Sequence, residues 1–101
     1  MLFSDLFKII KNNNEFSFEI MLCDECHPIF KAHFPKNPIL PGFIQIDISS
    51  YLFNLNFTKI KKAKFLDTLL PNDSVVINLY KEKKRVELIK NSKKVSEFIY
   101  E

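Results

Sequence analysis

The chain has 101 residues, nearly half of them apolar, with 11 phenylalanines, one glycine, and 15 Lys plus Arg against 12 Asp plus Glu. That length suits a single domain, 1–101, whose limited buried fraction makes a homo-oligomer a natural way to hide so many aromatic rings. A net charge of +3 without a dense basic motif argues against a nucleic-acid binder, and no apolar run approaches the ~20 residues of a membrane span.

In chain order, Leu2, Phe3, Leu6, Phe7 and Ile10 recur at helical spacing and predict a short helix over about 4–11. Asp5 and Lys8 interrupt this apolar run and no small-residue cleavage site follows, so it does not read as a signal peptide. The expectation is a cytoplasmic protein with reduced thiols. Phe16, Phe18, Ile20 and Leu22 then alternate with Ser17, Glu19 and Met21, the pattern of a strand with one buried face. Residues 23–41 hold four prolines and predict an irregular, rigid loop. From Gly42 to about Asn54 the chain is proline-free and largely apolar. Ile44, Ile48, Tyr51 and Leu55 form one stripe, widened by Ile46 and Phe53, which predicts a helix buried around most of its circumference. Asp47, Ser50 and Asn54 make its thin polar stripe.

Strands follow at 57–65, 75–80, 85–89 and 95–100, with a turn at Leu70-Pro71-Asn72-Asp73 and hairpin tips at KEKK and NSKK. In the first turn Asn72 stands in for glycine, because Asn tolerates a left-handed backbone. One antiparallel sheet wrapped around one long apolar helix, an α+β fold, satisfies this outline.

The stretch HFPKNPILPGFIQID, His33 to Asp47, holds three of the five prolines and the only glycine. Pro41 favours a helix start, and no Ser, Thr, Asp or Asn at 40–42 caps it. Gly42 therefore either permits a tight loop-to-helix turn or leaves helix N–H groups open to a ligand oxygen, as in an oxyanion hole for a thioester. Asp47 lies between Ile46 and Ile48. It is either a desolvated general acid or a carboxylate at the helix edge bonded to backbone. His33 is a candidate base or a structural loop histidine.

Together, His33-Phe34-Pro35, Pro38-Ile39-Leu40-Pro41-Gly42 and Asp47 resemble the signature of the hot-dog fold β-hydroxyacyl-(acyl carrier protein) dehydratases. Phe30, Lys62-Ala63-Lys64-Phe65 and Leu70-Pro71-Asn72-Asp73 extend the likeness over about 16–100, and the Gln45-Ile46-Asp47 ending looks closest to the short dehydratases of aryl-polyene pathways. The resemblance implies a homodimer with one continuous sheet, or a higher oligomer. Its shared active sites would take His33 from one chain and Asp47 from the other. It implies a (3R)-3-hydroxyacyl substrate on the phosphopantetheine of an acyl carrier protein, and no metal or redox cofactor. His33 would take the proton α to the carbonyl, the Gly42 N–H would hold the oxyanion, and Asp47 would assist departure of the hydroxyl. Phe34, Pro41, Phe43 and Tyr51 would contact substrate. Lys59, Lys61, Lys62 and Lys64 would dock the acidic carrier, unless they are simply a solvated strand face. Tyr51 replaces the family's usual Gln, and Ala32 and Lys36 replace frequent glycines.

Other readings compete. Cys23-Asp24-Glu25-Cys26-His27 spells the C-x-x-C-H of haem attachment, and Cys23, Cys26, His27 and His33 are candidate zinc ligands. Haem attachment requires export, and a strand followed by a rigid loop is a poor setting for the motif, so reduced cysteines beside the site loop are expected. A hot-dog thioesterase and a non-catalytic binding module for acyl carrier protein are the remaining alternatives.

Overall fold

The computed structural model describes residues 5–32, 34 and 36–101. Six strands, β1 (Phe7–Asn14), β2 (Ser17–Leu22), β3 (Ile60–Phe65), β4 (Ser74–Tyr80), β5 (Arg85–Lys90) and β6 (Lys93–Tyr100), form one antiparallel sheet in the order β1-β2-β4-β5-β6-β3. Between β2 and β3 the chain forms α1 (Pro28–Ala32) and α2 (Gly42–Phe53). The arrangement is the hot-dog fold, α+β, with the sheet wrapped around α2.

Strand alternation makes the core. Ile20 and Leu22, Val75, Ile77 and Leu79, Val86 and Leu88, and Val95 and Phe98 are buried from one side of the sheet. Ile44 and Ile48 of α2 join them, with Leu6, Phe30, Leu40 and Leu69. The turns work almost without glycine. Asn72 has φ 68°, as expected from its place in the Leu70–Asp73 turn, where Asp73 Oδ2 accepts from the Leu70 N–H at 2.7 Å. Asn91 (φ 53°) and Ser92 (φ 64°) make the two-residue β5–β6 hairpin, whose positive φ values match the twist of the flanking strands.

The N-terminal segment corrects its helical expectation. From Phe7 onward it is an edge strand paired with β2, from Phe7↔Leu22 to Asn14↔Ser17. An isolated helix of two turns is marginal, and Asn12 to Asn14 are poor helix formers. The open edge of β2 offers a full ladder instead, and Ser4 of the expected helix, with Leu2 and Phe3 of its apolar pattern, lies outside the described residues. The loop over 23–41 is likewise interrupted by α1. Pro28 sits at its first position, where the missing N–H costs nothing, and Phe30 is completely buried.

A one-residue register shift sits on β6. Leu88 pairs with Ser96 but Ile89 pairs with Lys94, so the bulge puts both Val95 and Ser96 inside. The freed Val95 carbonyl accepts from Leu66 (2.8 Å) and Asp67 (3.1 Å), which clamps the end of β3. Ser96 Oγ, now buried, donates to Gln45 Oε1 at 2.7 Å, and Gln45 Nε2 donates to the Leu40 carbonyl at 3.1 Å. One buried side-chain amide thus ties sheet, helix and the loop before the helix. Ser49 Oγ closes the network on the Gln45 carbonyl at 2.9 Å.

Replacing Gln45 with Met keeps the volume but leaves a buried carbonyl and a buried hydroxyl without partners. The expected loss is roughly 2–3 kcal/mol of stability in urea unfolding, against about 1 kcal/mol for Ser96→Ala. Equal and negligible losses would show that the network does not hold the loop.

Candidate active site

α2 begins without a side-chain cap, as its sequence implies. Pro41 is the N-cap, with φ −61° and ψ 149°, and its carbonyl accepts from Ile44 and Gln45, both at 3.1 Å. The Gly42 N–H has no hydrogen-bond partner among the described residues. A partial positive charge gathers at such an end. Gly42 does not have a positive φ, so no left-handed turn demands glycine here. The reason is steric. An added Cβ would lie 2.7 and 2.9 Å from Phe65 Cε1 and Cε2, and closer still to Cζ. The space that a side chain at Gly42 would take is filled by the chain's own Phe65 ring, delivered by the clamped end of β3, and the backbone N–H is a separate direction.

The buried-helix expectation also needs correction. Only the face of α2 bearing Ile44, Gln45, Ile48 and Ser49 is buried. Phe43 (59% exposed), Asp47 and Tyr51 (52% exposed) point away from the core of their own chain, one turn apart along one line. The Asp47 carboxylate is therefore open to solvent on the single chain rather than enclosed by Ile46 and Ile48. Of its expected polar stripe, Asn54 is exposed, while Ser50 Oγ is half-buried and donates to the Leu55 carbonyl.

Beyond Tyr51 the outward face meets β1. The rings of Tyr51 and Phe7 pack edge to face at 6.1 Å, and a groove of about 650 Å³ opens between Ile9, Phe18, Tyr51, Leu52 and Leu55. Phe34 is exposed and Pro41 half-buried. His33 lies outside the described residues, as does Pro35. The four lysines proposed for docking lie at and before the end strand β3. Lys59 pairs with Glu101 at 3.4 Å, whereas Lys62 and Lys64 line a pocket on the face of the sheet away from α2.

The C-x-x-C-H segment has local structural roles. Asp24 Oδ1 accepts from the Cys26 N–H at 2.8 Å, and His27 Nδ1 accepts from the Ile29 N–H at 3.1 Å, capping α1. Both cysteines are free thiols, and no three His, Cys, Asp or Glu side chains among the described residues are grouped to hold a metal ion. Burial, with Asp24 second and Asp5 last, pushes the Cys23 thiol above its ordinary pKa, against a lowering backbone hydrogen bond.

Two residues that organise the site escape the motif. Gln45 enters the resemblance only as part of the Gln45-Ile46-Asp47 ending, with no role attached, and only its i, i+4 spacing to Ser49 signals a polar seam on the buried face. Phe65 ends the Lys62-Ala63-Lys64-Phe65 likeness, but nothing local signals its contact with Gly42, which spans 23 positions of chain.

The fold and the Pro-Gly-led helix define the class: a hot-dog protein of the dehydratase type. A model of the ApeI-like dehydratases (ApeI dehydratase) matches residues 8–98, and the chain belongs to this family. A chain of the dehydratase heterocomplex ApeI:P from Xenorhabdus doucetiae is similar in structure, with a TM-score of 0.61 and 26% identity over 90% of this chain and 94% of that one. An uncharacterized protein from Erwinia carotovora subsp. atroseptica shares the fold, with a TM-score of 0.55 and 22% identity over 92% and 90% of the two chains. Among curated proteins, the 3-hydroxyacyl-[acyl-carrier-protein] dehydratases FabZ of Thermoanaerobacter sp. (strain X514) and Thermoanaerobacter pseudethanolicus are 26% identical over 76 residues. That match covers 62% of this chain and 54% of theirs, so it spans about half the length of those relatives.

Gly42→Ala drives a methyl into the Phe65 ring, which is half-exposed and able to give way. The expected cost is about 1 kcal/mol in urea unfolding. The same change in a Phe65→Ala background is expected to cost nothing measurable, a non-additivity that a glycine needed only for its backbone would not produce. In alkylation followed by mass spectrometry, exposed Cys26 is expected to react before half-buried Cys23 at neutral pH. Equal rates would contradict the burial of Cys23.

Proposed function

We propose that the chain dehydrates a (3R)-3-hydroxyacyl group, borne on the phosphopantetheine arm of an acyl carrier protein, to the trans-2-enoyl thioester. The observation that carries this reading is the outward face of α2. Phe43, Asp47 and Tyr51 follow one another there, with the Gly42 N–H, unpartnered among the described residues, at the head of the helix. In sequence, His33 follows the buried Phe30 by three residues and precedes Gly42 by nine. The dehydratases to which the chain is similar support the reaction class.

His33 would remove the C2 proton, and the electron pair would pass to an enolate-like oxyanion held by the Gly42 N–H. Collapse of the oxyanion would form the C2–C3 double bond and expel the C3 hydroxyl, which leaves as water after taking a proton from Asp47. Acid–base chemistry accounts for every step, so the reading calls for no metal or redox cofactor. Phe34, Pro41 and Phe43 would flank the thioester. The groove past Tyr51 has room for an acyl tail, and the packing of Tyr51 on Phe7 favours a role as its wall over one in orienting Asp47.

A second subunit would cover the open face of α2. β3 is an end strand of the sheet with a mostly exposed surface, so two copies joined there would continue one sheet through a homodimer. His33 of one copy would then serve Asp47 of the other, and larger assemblies would build on that pair. The exposed lysines Lys59, Lys61, Lys62 and Lys64 would meet the acidic carrier, and the cytoplasm is the expected setting.

The test is hydration of trans-2-enoyl thioesters on carrier protein, followed by loss of enoyl absorbance. His33→Ala and Asp47→Asn are each expected to lower the rate by about 10²–10⁴-fold. A wild-type protein that hydrates no chain length, or releases free thiol instead, would sink the reading in favour of a binding module or a thioesterase.

A further inference from the structure

The face of the sheet turned away from α2 carries a charge cluster of which the dehydratase reading uses only the two β3 lysines, as part of a carrier-docking surface. Lys62 of β3 pairs with Ile99 of β6, which pairs with Arg85 of β5; two residues along, Lys64 pairs with Glu97, which pairs with Glu87. Paired positions share a face, so these six side chains form two parallel rows across three strands. Between the rows lies a pocket of about 90 Å³ lined by Lys62, Lys64, Arg85, Glu97 and Ile99.

The ion pairs within this cluster are unevenly shared. Glu97 Oε2 lies 3.3 Å from Lys94 Nζ and 3.7 Å from Arg85 Nε. Glu87 Oε2 lies 3.7 Å from Lys94 Nζ and 3.8 Å from Arg85 Nη1. Lys94 and Arg85 thus hold both carboxylates, while Lys62 and Lys64 make no ion pair among the described residues. Four cationic side chains face two anionic ones, a surplus of two charges beside one small concavity. The Arg85 Nε–H is the sharper feature. It is buried and has no hydrogen-bond partner among the described residues, and Glu97 Oε2, at 3.7 Å, is beyond hydrogen-bond range. A buried donor left unmade is costly and asks what accepts from it.

We infer that this pocket is an oxyanion site for a phosphate group, bound by the Arg85 guanidinium from β5 and the Lys62 and Lys64 ammonium groups from β3, over Ile99 as floor. A phosphate offers several acceptor oxygens to three separate donors, and its charge of nearly two at neutral pH matches the surplus, where a carboxylate would cancel half of it. Guanidinium suits the fixed side of such a site and flexible lysines the adjustable side. Glu97 also lines the pocket, and Lys94 and Arg85 screen its charge.

The test is an amide chemical-shift titration of the full chain with inorganic phosphate, at constant ionic strength made up with chloride. A second titration uses glycerol phosphate. Saturable shifts confined to β3, β5 and β6, with a millimolar midpoint, are expected. Saturation by glycerol phosphate as well would identify a phosphate monoester as ligand, and saturation by inorganic phosphate alone would identify the free ion; either supports the site. Lys62→Ala/Lys64→Ala, two exposed positions on an end strand whose loss leaves the fold intact, is expected to raise the midpoint about ten-fold. Arg85→Gln is expected to do the same. Identical shifts with chloride alone, or an unchanged midpoint in the lysine double variant, would overturn the inference. None of these readouts involves turnover, so the site stands or falls separately from the dehydratase reading.

Discussion

The amide of Gln45 is the point on which the site depends. A primary amide buried in a small core has to satisfy both its ends, because an unmet donor or acceptor there costs as much as a good hydrogen bond supplies. Gln45 does so by reaching in two directions, to the Leu40 carbonyl before the helix and to the Ser96 hydroxyl on β6. Few placements of α2 against the sheet allow both bonds at once. Rotation of the helix about its axis, or a slip of Leu40, would break one of them. That restriction aims the opposite face of α2, with Asp47, at a defined direction in space.

The bulge at Val95 is the second half of the same arrangement. By turning Ser96 inward it supplies the hydroxyl that Gln45 needs, and by freeing the Val95 carbonyl it clamps Leu66 and Asp67. The clamp holds Phe65 over Gly42. One irregularity in strand pairing therefore reaches both the middle and the start of α2. What it leaves outside is as informative: an outward line of aromatic, carboxylate and aromatic that a lone chain has little reason to display. On the proposed reading that line is half of a site, waiting for a second surface.

Much of this was legible in sequence, for physical reasons. Alternation in Phe16–Leu22, Val75–Tyr80 and Arg85–Ile89 locates β2, β4 and β5 because a sheet with one buried face imposes a period of two. Proline before glycine and then an apolar run locates the start of α2 at Gly42. The N-terminal strand was not legible, because Leu6, Phe7 and Ile10 fit a helical period while the deciding fact is an open edge of β2 far from local propensity. The apolar girth of α2 was read as burial within one chain, although composition cannot say which molecule does the covering. Gln45, Ser96 and Phe65 were hidden for a related reason: their partners are set by tertiary register, which no spacing rule encodes.

The scarcity of glycine has a consequence for the unfolded chain. Five non-glycine residues, Asn54, Asn72, Lys84, Asn91 and Ser92, take left-handed backbone angles in the fold. Each is strained by roughly 1 kcal/mol relative to glycine at such a position, somewhat less for asparagine. The denatured chain, however, has no such hinges. With a side chain at every turn it samples fewer conformations, and so loses less entropy when it folds. The strain seen at the hairpin tips is thus partly offset in the denatured state, by a chain that is stiffer before it has any structure at all.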